Sequence, residues 1–274
     1  MAAVAAAMAL AAGMLTLPAP SGADVASVTG SAYGYYANIA LFGSQQPPAG
    51  PAPTVTLPAA GSAVPVTGAE PSAAVKYGPA TFFTSGPLLA GTQGTTGPAG
   101  SVTSSASIAN VNASGQEVLT ASSVASTCTA SESGVKGSTA IVNGTLQTDS
   151  GDSDPTNTIP DHGPTTVPVP ANPAPNTVVE GHIHVNGATD TFRYVFNEQV
   201  TNPDGSLTVN AAHQYLLGPT ATGDVVIGQS VCGATGTTPA TGATAANNMT
   251  AAAITPPPGA GAEPKLSAAA LPEA

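Results

Sequence analysis

Histidine is the side chain best suited to proton transfer and metal ligation near neutral pH, and this chain of 274 residues carries four. Two of them, His182 and His184, alternate with Glu180, and in a strand this period-two spacing sends all three side chains to one face. Such a face ligates a divalent metal if another histidine or carboxylate approaches it; otherwise it is a solvated polar strand face. A second candidate is the group Asp149, Asp152 and Asp154, with Asp161 beyond, which offers oxygen ligands of the kind calcium takes. It lacks the glycine and terminal glutamate of an EF-hand loop, so a plain acidic loop is the simpler reading. A third group, Asn197, Glu198 and Gln199 with His213, sits beside Phe196 in a strand-like run. These residues read as a structural hydrogen-bonded network between strands, with a ligand site as the alternative.

Motifs that would carry catalysis are missing. The chain has no Gly-x-Ser-x-Gly, no His-Glu-x-x-His, no phosphate loop and no Gly-x-Gly-x-x-Gly. No catalytic residue and no cofactor are expected, and the chain reads as a non-enzyme. Charged residues make up 7% of it, with 4 Lys plus Arg against 15 Asp plus Glu and a formal net charge of -11. An ordinary soluble domain is about 25% charged. Nucleic acid is excluded as a partner, because neutralising phosphates takes clustered Lys and Arg. The four basic residues, Lys76, Lys136, Arg193 and Lys265, are scattered singly.

The elements that must position these groups read as strands. Segments rich in Val, Thr, Ile, Phe and Tyr alternate with Gly, Pro and Asn clusters, and no window shows sustained helical periodicity. Period two places Tyr33, Tyr35, Ala37, Ile39 and Leu41 on one face, and Phe192, Tyr194 and Phe196 on another. The fold class expected is all-β, a β-sandwich or barrel-like domain with long loops over residues 24–232. Gly91, Gly94, Gly97 and Gly100 read as a flexible connection, and residues 148–176 as a Pro-rich surface excursion. Residues 1–23 read as a signal peptide with an apolar helix, broken by Pro18 and Pro20 and followed by Ser21-Gly22-Ala23. Residues 233–274, without an aromatic and with Pro256-Pro257-Pro258, read as a disordered tail. No apolar run beyond the leader is long enough to span a bilayer. Cys128 and Cys232 are an even pair in a chain read as exported, which favours a disulfide over two free thiols.

Several stretches, in order, resemble the choice-of-anchor P family of secreted actinobacterial proteins. They are Ser31-Ala-Tyr-Gly34, Gly100-Ser-Val-Thr-Ser-Ser-Ala106, Ile108-Ala-Asn-Val111 and Ser126-Thr-Cys-Thr-Ala130. Asn197-Glu-Gln199, Thr208-Val-Asn-Ala-Ala-His213 and Gly223-Asp-Val-Val-Ile-Gly228 follow, leading to Cys232. The resemblance implies an extracellular β domain with paired cysteines, and no established activity. Leu271-Pro-Glu-Ala274 departs from the family, lacking the Thr-Gly, apolar stretch and basic tail of a sorting signal. The functional expectation is a secreted or cell-wall-associated protein with a structural, adhesive or surface-display role, whose partners are cell-envelope components. The alternative is an extracellular metal- or glycan-binding module, and the absence of Trp weakens the glycan half of it.

Overall fold

The computed structural model describes residues 24–78, 80–114, 118–152, 161–185 and 187–236. The expected leader, Asp154 and all but the first residues of the expected tail lie outside this set. In chain order the strands are β1 (Val25–Leu41), β2 (Ser44–Gln45), β3 (Ala49–Thr56), β4 (Ser62–Glu70), β5 (Ala73–Tyr77), β6 (Ala80–Ser85), β7 (Leu88–Thr95) and β8 (Ser101–Ser114). There follow β9 (Val118–Ser131), β10 (Gly134–Val142), β11 (Thr145–Asp149), β12 (Thr165–Pro168), β13 (Thr177–Val185), β14 (Ala188–Thr201), β15 (Leu207–Leu217) and β16 (Ala221–Gly236). Among the described residues there is no helix, and so none long and apolar enough to cross a membrane.

All sixteen strands join one hydrogen-bonded sheet, with main path β2-β1-β16-β15-β14-β13-β11-β9-β8-β6-β5. The sheet curls into a half-barrel, so that β16 packs against β8 and β9 although it pairs with neither. The expected all-β class therefore takes the form of one rolled sheet. The core between its walls holds Phe83, Leu88, Ile108, Leu119, Ile227 and the row Phe192, Tyr194, Phe196. Small inward residues let the walls approach. Ala106, Ala121 and Ala211 are buried, and Thr92 and Ser104 satisfy each other inside at 2.8 Å.

Three expectations are corrected. Gly91 and Gly94 belong to strand β7, paired residue by residue with β8 from Leu88↔Ile108 to Thr95↔Ser101, and only Gly97 and Gly100 fall in the connection between the two strands. A Cβ on Gly94 would crowd the Ser101 carbonyl at 2.9 Å, so the glycine serves close packing rather than flexibility. The edge expected at Cys232 moves, because β16 continues to Gly236 opposite Val25. Backbone pairing needs no aromatic side chain, and composition therefore placed that edge too early.

Tyr33 does not share a face with Tyr35. On β1 the inward residues are Val28 and Ala32, then Ala37 and Ile39, so the alternation changes phase at Gly34. The change runs across the sheet. The ladders step over one residue pair between Tyr33 and Tyr35, between Ile227 and Gln229, between Asn210 and Ala212, and between Phe196 and Glu198. Asn197 and Gly228 on this line have φ of 51 and 70. Those left-handed conformations suit Asn and Gly.

Candidate metal centre

Strand β13 places Glu180, His182 and His184 at alternate positions, as expected, but only the two histidines join a cluster. The deciding contact is a parallel bridge between Asp149, the last residue of β11, and His182. Gly181 makes it possible, since any Cβ there would collide with the Thr148 carbonyl oxygen. Asp149 Oδ2 lies 2.9 Å from His182 Nε2, and Asp149 Oδ1 lies 3.8 Å from His184 Nε2. One ligand atom from each of these three residues falls within 4.8 Å of the others. A third imidazole lies beside the group, with His162 Nε2 3.0 Å from Asp149 Oδ2.

The two separate candidates in the sequence therefore merge, each losing members. Glu180 is one pleat away from the bridge, exposed and opposite Arg193 in the ladder. Asp152 contributes its backbone. Its N–H and carbonyl pair with those of His162 at 2.9 and 2.8 Å, and this bridge holds His162 beside Asp149. Asp161 is exposed, and Asp154 lies outside the described residues. His162 was missed, although three of the four histidines fall between residues 162 and 184, a clustering that could have drawn attention to it.

Burial grades the three rings. The side chains of His182 and His162 are 45% and 36% exposed, whereas that of His184 is 9% exposed. His184 Nδ1 lies 3.2 Å from Thr189 Oγ1, and its backbone N–H donates to Ser150 Oγ at 2.9 Å. Its Nε2 is buried with no hydrogen-bond partner. A buried polar atom left unsatisfied is costly, and this one faces a carboxylate oxygen at a separation too long for a hydrogen bond. Burial on its own would raise the Asp149 carboxyl. The Gly151 N–H, which donates at 2.8 Å, and the His162 and His182 rings outweigh that and hold it below the ordinary aspartate range.

These residues fit a metal ion. Ligand atoms about 2.0–2.1 Å from a shared tetrahedral ion lie roughly 3.4 Å apart, between the 2.9 and 3.8 Å that separate the two Asp149 oxygens from His182 and His184, and the whole set lies within 4.8 Å. Two imidazole nitrogens and one carboxylate oxygen, with a third imidazole beside the carboxylate, suit zinc, nickel or copper. Calcium, which takes six to eight oxygens, has too few here.

No known protein family, curated protein or solved structure matches this chain. Its chemistry is therefore read from its own geometry.

The polar group expected at Asn197, Glu198, Gln199 and His213 divides between two faces, because neighbouring residues of a strand point to opposite sides. Gln199 Nε2 donates to Asn197 Oδ1 and to the Gly137 carbonyl, both at 3.0 Å, and Asn197 Nδ2 donates to the Pro173 carbonyl at 2.9 Å. Glu198 gathers the rest. It accepts from His213 Nδ1 at 2.6 Å, Asn210 Nδ2 at 2.7 Å and the Tyr215 hydroxyl at 2.6 Å. Asn210 and His213 are three residues apart and would face opposite ways in a regular strand; the phase change between them brings both to Glu198. His213 Nε2 also lies 3.5 Å from Asp224 Oδ2, and the Arg193 guanidinium stacks 4.7 Å above the Tyr215 ring.

Burial would raise the Glu198 carboxyl, but its three donors, led by His213, bring it down to about 2. Burial would lower His213, yet Asp224 and Glu198 hold it above its usual value. Tyr215 is raised by burial and by its bond to Glu198. Glu198 is saturated by its three donors, which gives this centre the character of a structural network, although His213 Nε2 is buried without a hydrogen bond, 3.5 Å from the Asp224 carboxylate.

Proposed function

We propose that this chain is a secreted, cell-envelope β protein that binds one transition-metal ion and has a structural rather than catalytic role. The observation that carries the reading is the convergence of His162, His182 and His184 on Asp149, with the buried His184 Nε2 lacking a hydrogen-bond partner. A structural zinc site takes four protein donors, whereas catalytic sites keep a position open for water or substrate; Asp149, His182 and His184 supply three, and His162, 3.0 Å from Asp149 Oδ2, is the side chain placed to supply the fourth. The exported setting is supported by the Cys128–Cys232 pair, which suits an oxidising compartment. The leader-like first 23 residues and the resemblance to choice-of-anchor P proteins point the same way.

Isothermal titration of metal-stripped protein tests the proposal. Zinc is expected to bind at one site with Kd of about 1 µM or tighter, equivalent to about -8 kcal/mol. Calcium should give no heat in the micromolar range. The His182→Ala, His184→Ala double variant should weaken zinc at least about 100-fold, roughly 2.7 kcal/mol, while keeping the strand spectrum of the parent. Absence of zinc and nickel heats from folded parent protein would remove the reading.

A further inference from the structure

We infer that the bound ion is a clasp that closes the seam of the curled sheet, an inference that rests on the metal-binding reading above. The seam is β11. On one side it pairs with β9 through Thr145↔Thr120 and Leu146↔Leu119, and on the other it meets β13 through the single pair Asp149↔His182. The wall containing β1, β16, β15, β14 and β13 is built from long ladders, nine pairs between β13 and β14 and ten between β15 and β16. The β8–β9 pairing in the opposite wall is equally extensive, with thirteen pairs. Among the described residues, strand pairing joins these two walls along the main path through β11 alone, with the isolated Val25↔Gly97 bridge tying β1 to the β7–β8 connection elsewhere.

The two residues of that lone pair are themselves ligand candidates. Asp149 comes from the β11 side, His182 and His184 come from β13, and His162 is brought in by the returning segment at its Asp152 bridge. An ion held by Asp149, His182 and His184, with His162 drawn in as a fourth donor, would tie together three segments that share few backbone bonds. Two further contacts cross the seam at the site, the His184 N–H donating to Ser150 Oγ and the close passage of Thr148 over Gly181. The buried His184 Nε2 is the atom such a clasp would engage from inside, while half-exposed His182 and His162 give the ion a way in. Placement supports the same role. Cys128–Cys232 joins the walls beside Leu207, at the start of β15, and the seam lies toward the other end, where Leu216 of β15 pairs with Phe192 next to Thr191, the partner of His182.

Hydrogen exchange on the full chain, metal-stripped and then saturated with zinc, tests the clasp. Amides of residues 145–152 and 181–185 should slow at least about tenfold with zinc, and those of β8 by less than about twofold, because local opening is what the ion suppresses. Asp149→Asn, which preserves the side-chain shape, should lose the zinc-dependent slowing and keep the parent's exchange pattern elsewhere. If calorimetry records zinc binding but the seam amides exchange as fast as before, the clasp is wrong while the metal site stands. If no zinc binds to folded protein, both readings fail together.

Discussion

Replacing both Cys128 and Cys232 with alanine is expected to lower the unfolding free energy by about 4.7 kcal/mol, the chain-entropy value for a closed loop of about 100 residues. The bridge spans a sequence separation of 104, with Cα atoms 5.5 Å apart, and it connects β9 to β16 across the core rather than along the sheet. Both cysteines are fully buried among Val25, Val28, Leu57 and Val102. Against the 5–15 kcal/mol typical of a folded domain, a loss of this size brings the protein close to its unfolding threshold. Urea unfolding of parent and variant at pH 6 measures it directly. A change below about 1 kcal/mol would mean that the curled sheet holds its walls together without the bridge.

The second large effect concerns Glu198. Truncation to alanine leaves His213 and Asn210 buried without the carboxylate they share, and breaking a buried charged pair costs about 3–5 kcal/mol. The pH dependence carries a sign that separates this from simple loss of packing. Glu198 titrates near 2 in the folded chain against 4.5 ordinarily. Its contribution, on the order of 3 kcal/mol, is therefore complete above pH 4.5 and disappears as pH falls toward 2. His213 is shifted upward from 6.5, so its contribution is complete below pH 6.5 and is lost as pH rises through its folded value. The pair should give greatest stability between about pH 4.5 and 6.5. Glu198→Gln should remove most of the slope on the acid side. An unchanged acid limb in that variant would show that the carboxylate is not held by His213 as described.

The strands were legible in the sequence because the side-chain alternation that marks them is local. Phe192, Tyr194 and Phe196 point inward as period two requires, and β13 presents His182 and His184 together for the same reason. The phase change was not legible, because Asn197 and Gly228 leave the extended region of backbone space without altering the pattern of residue types around them. It reverses Tyr33, and it brings Asn210 to the same carboxylate as His213. The metal cluster was half legible. Both halves stood out by composition, yet only a pairing between residues 33 positions apart selects Asp149 over Asp152 and leaves Glu180 outside. That pairing depends on Gly181 admitting β11, a contact visible only in three dimensions.

X-ray absorption at the zinc edge of the loaded full chain tests the central claim most directly. The account predicts one first shell of nitrogen and oxygen at about 2.0–2.1 Å, with the outer-shell scattering of imidazole rings, and loss of most of that imidazole signal in the His182→Ala, His184→Ala variant. A shell of oxygen alone, or an imidazole signal that survives in the variant unchanged, would contradict it.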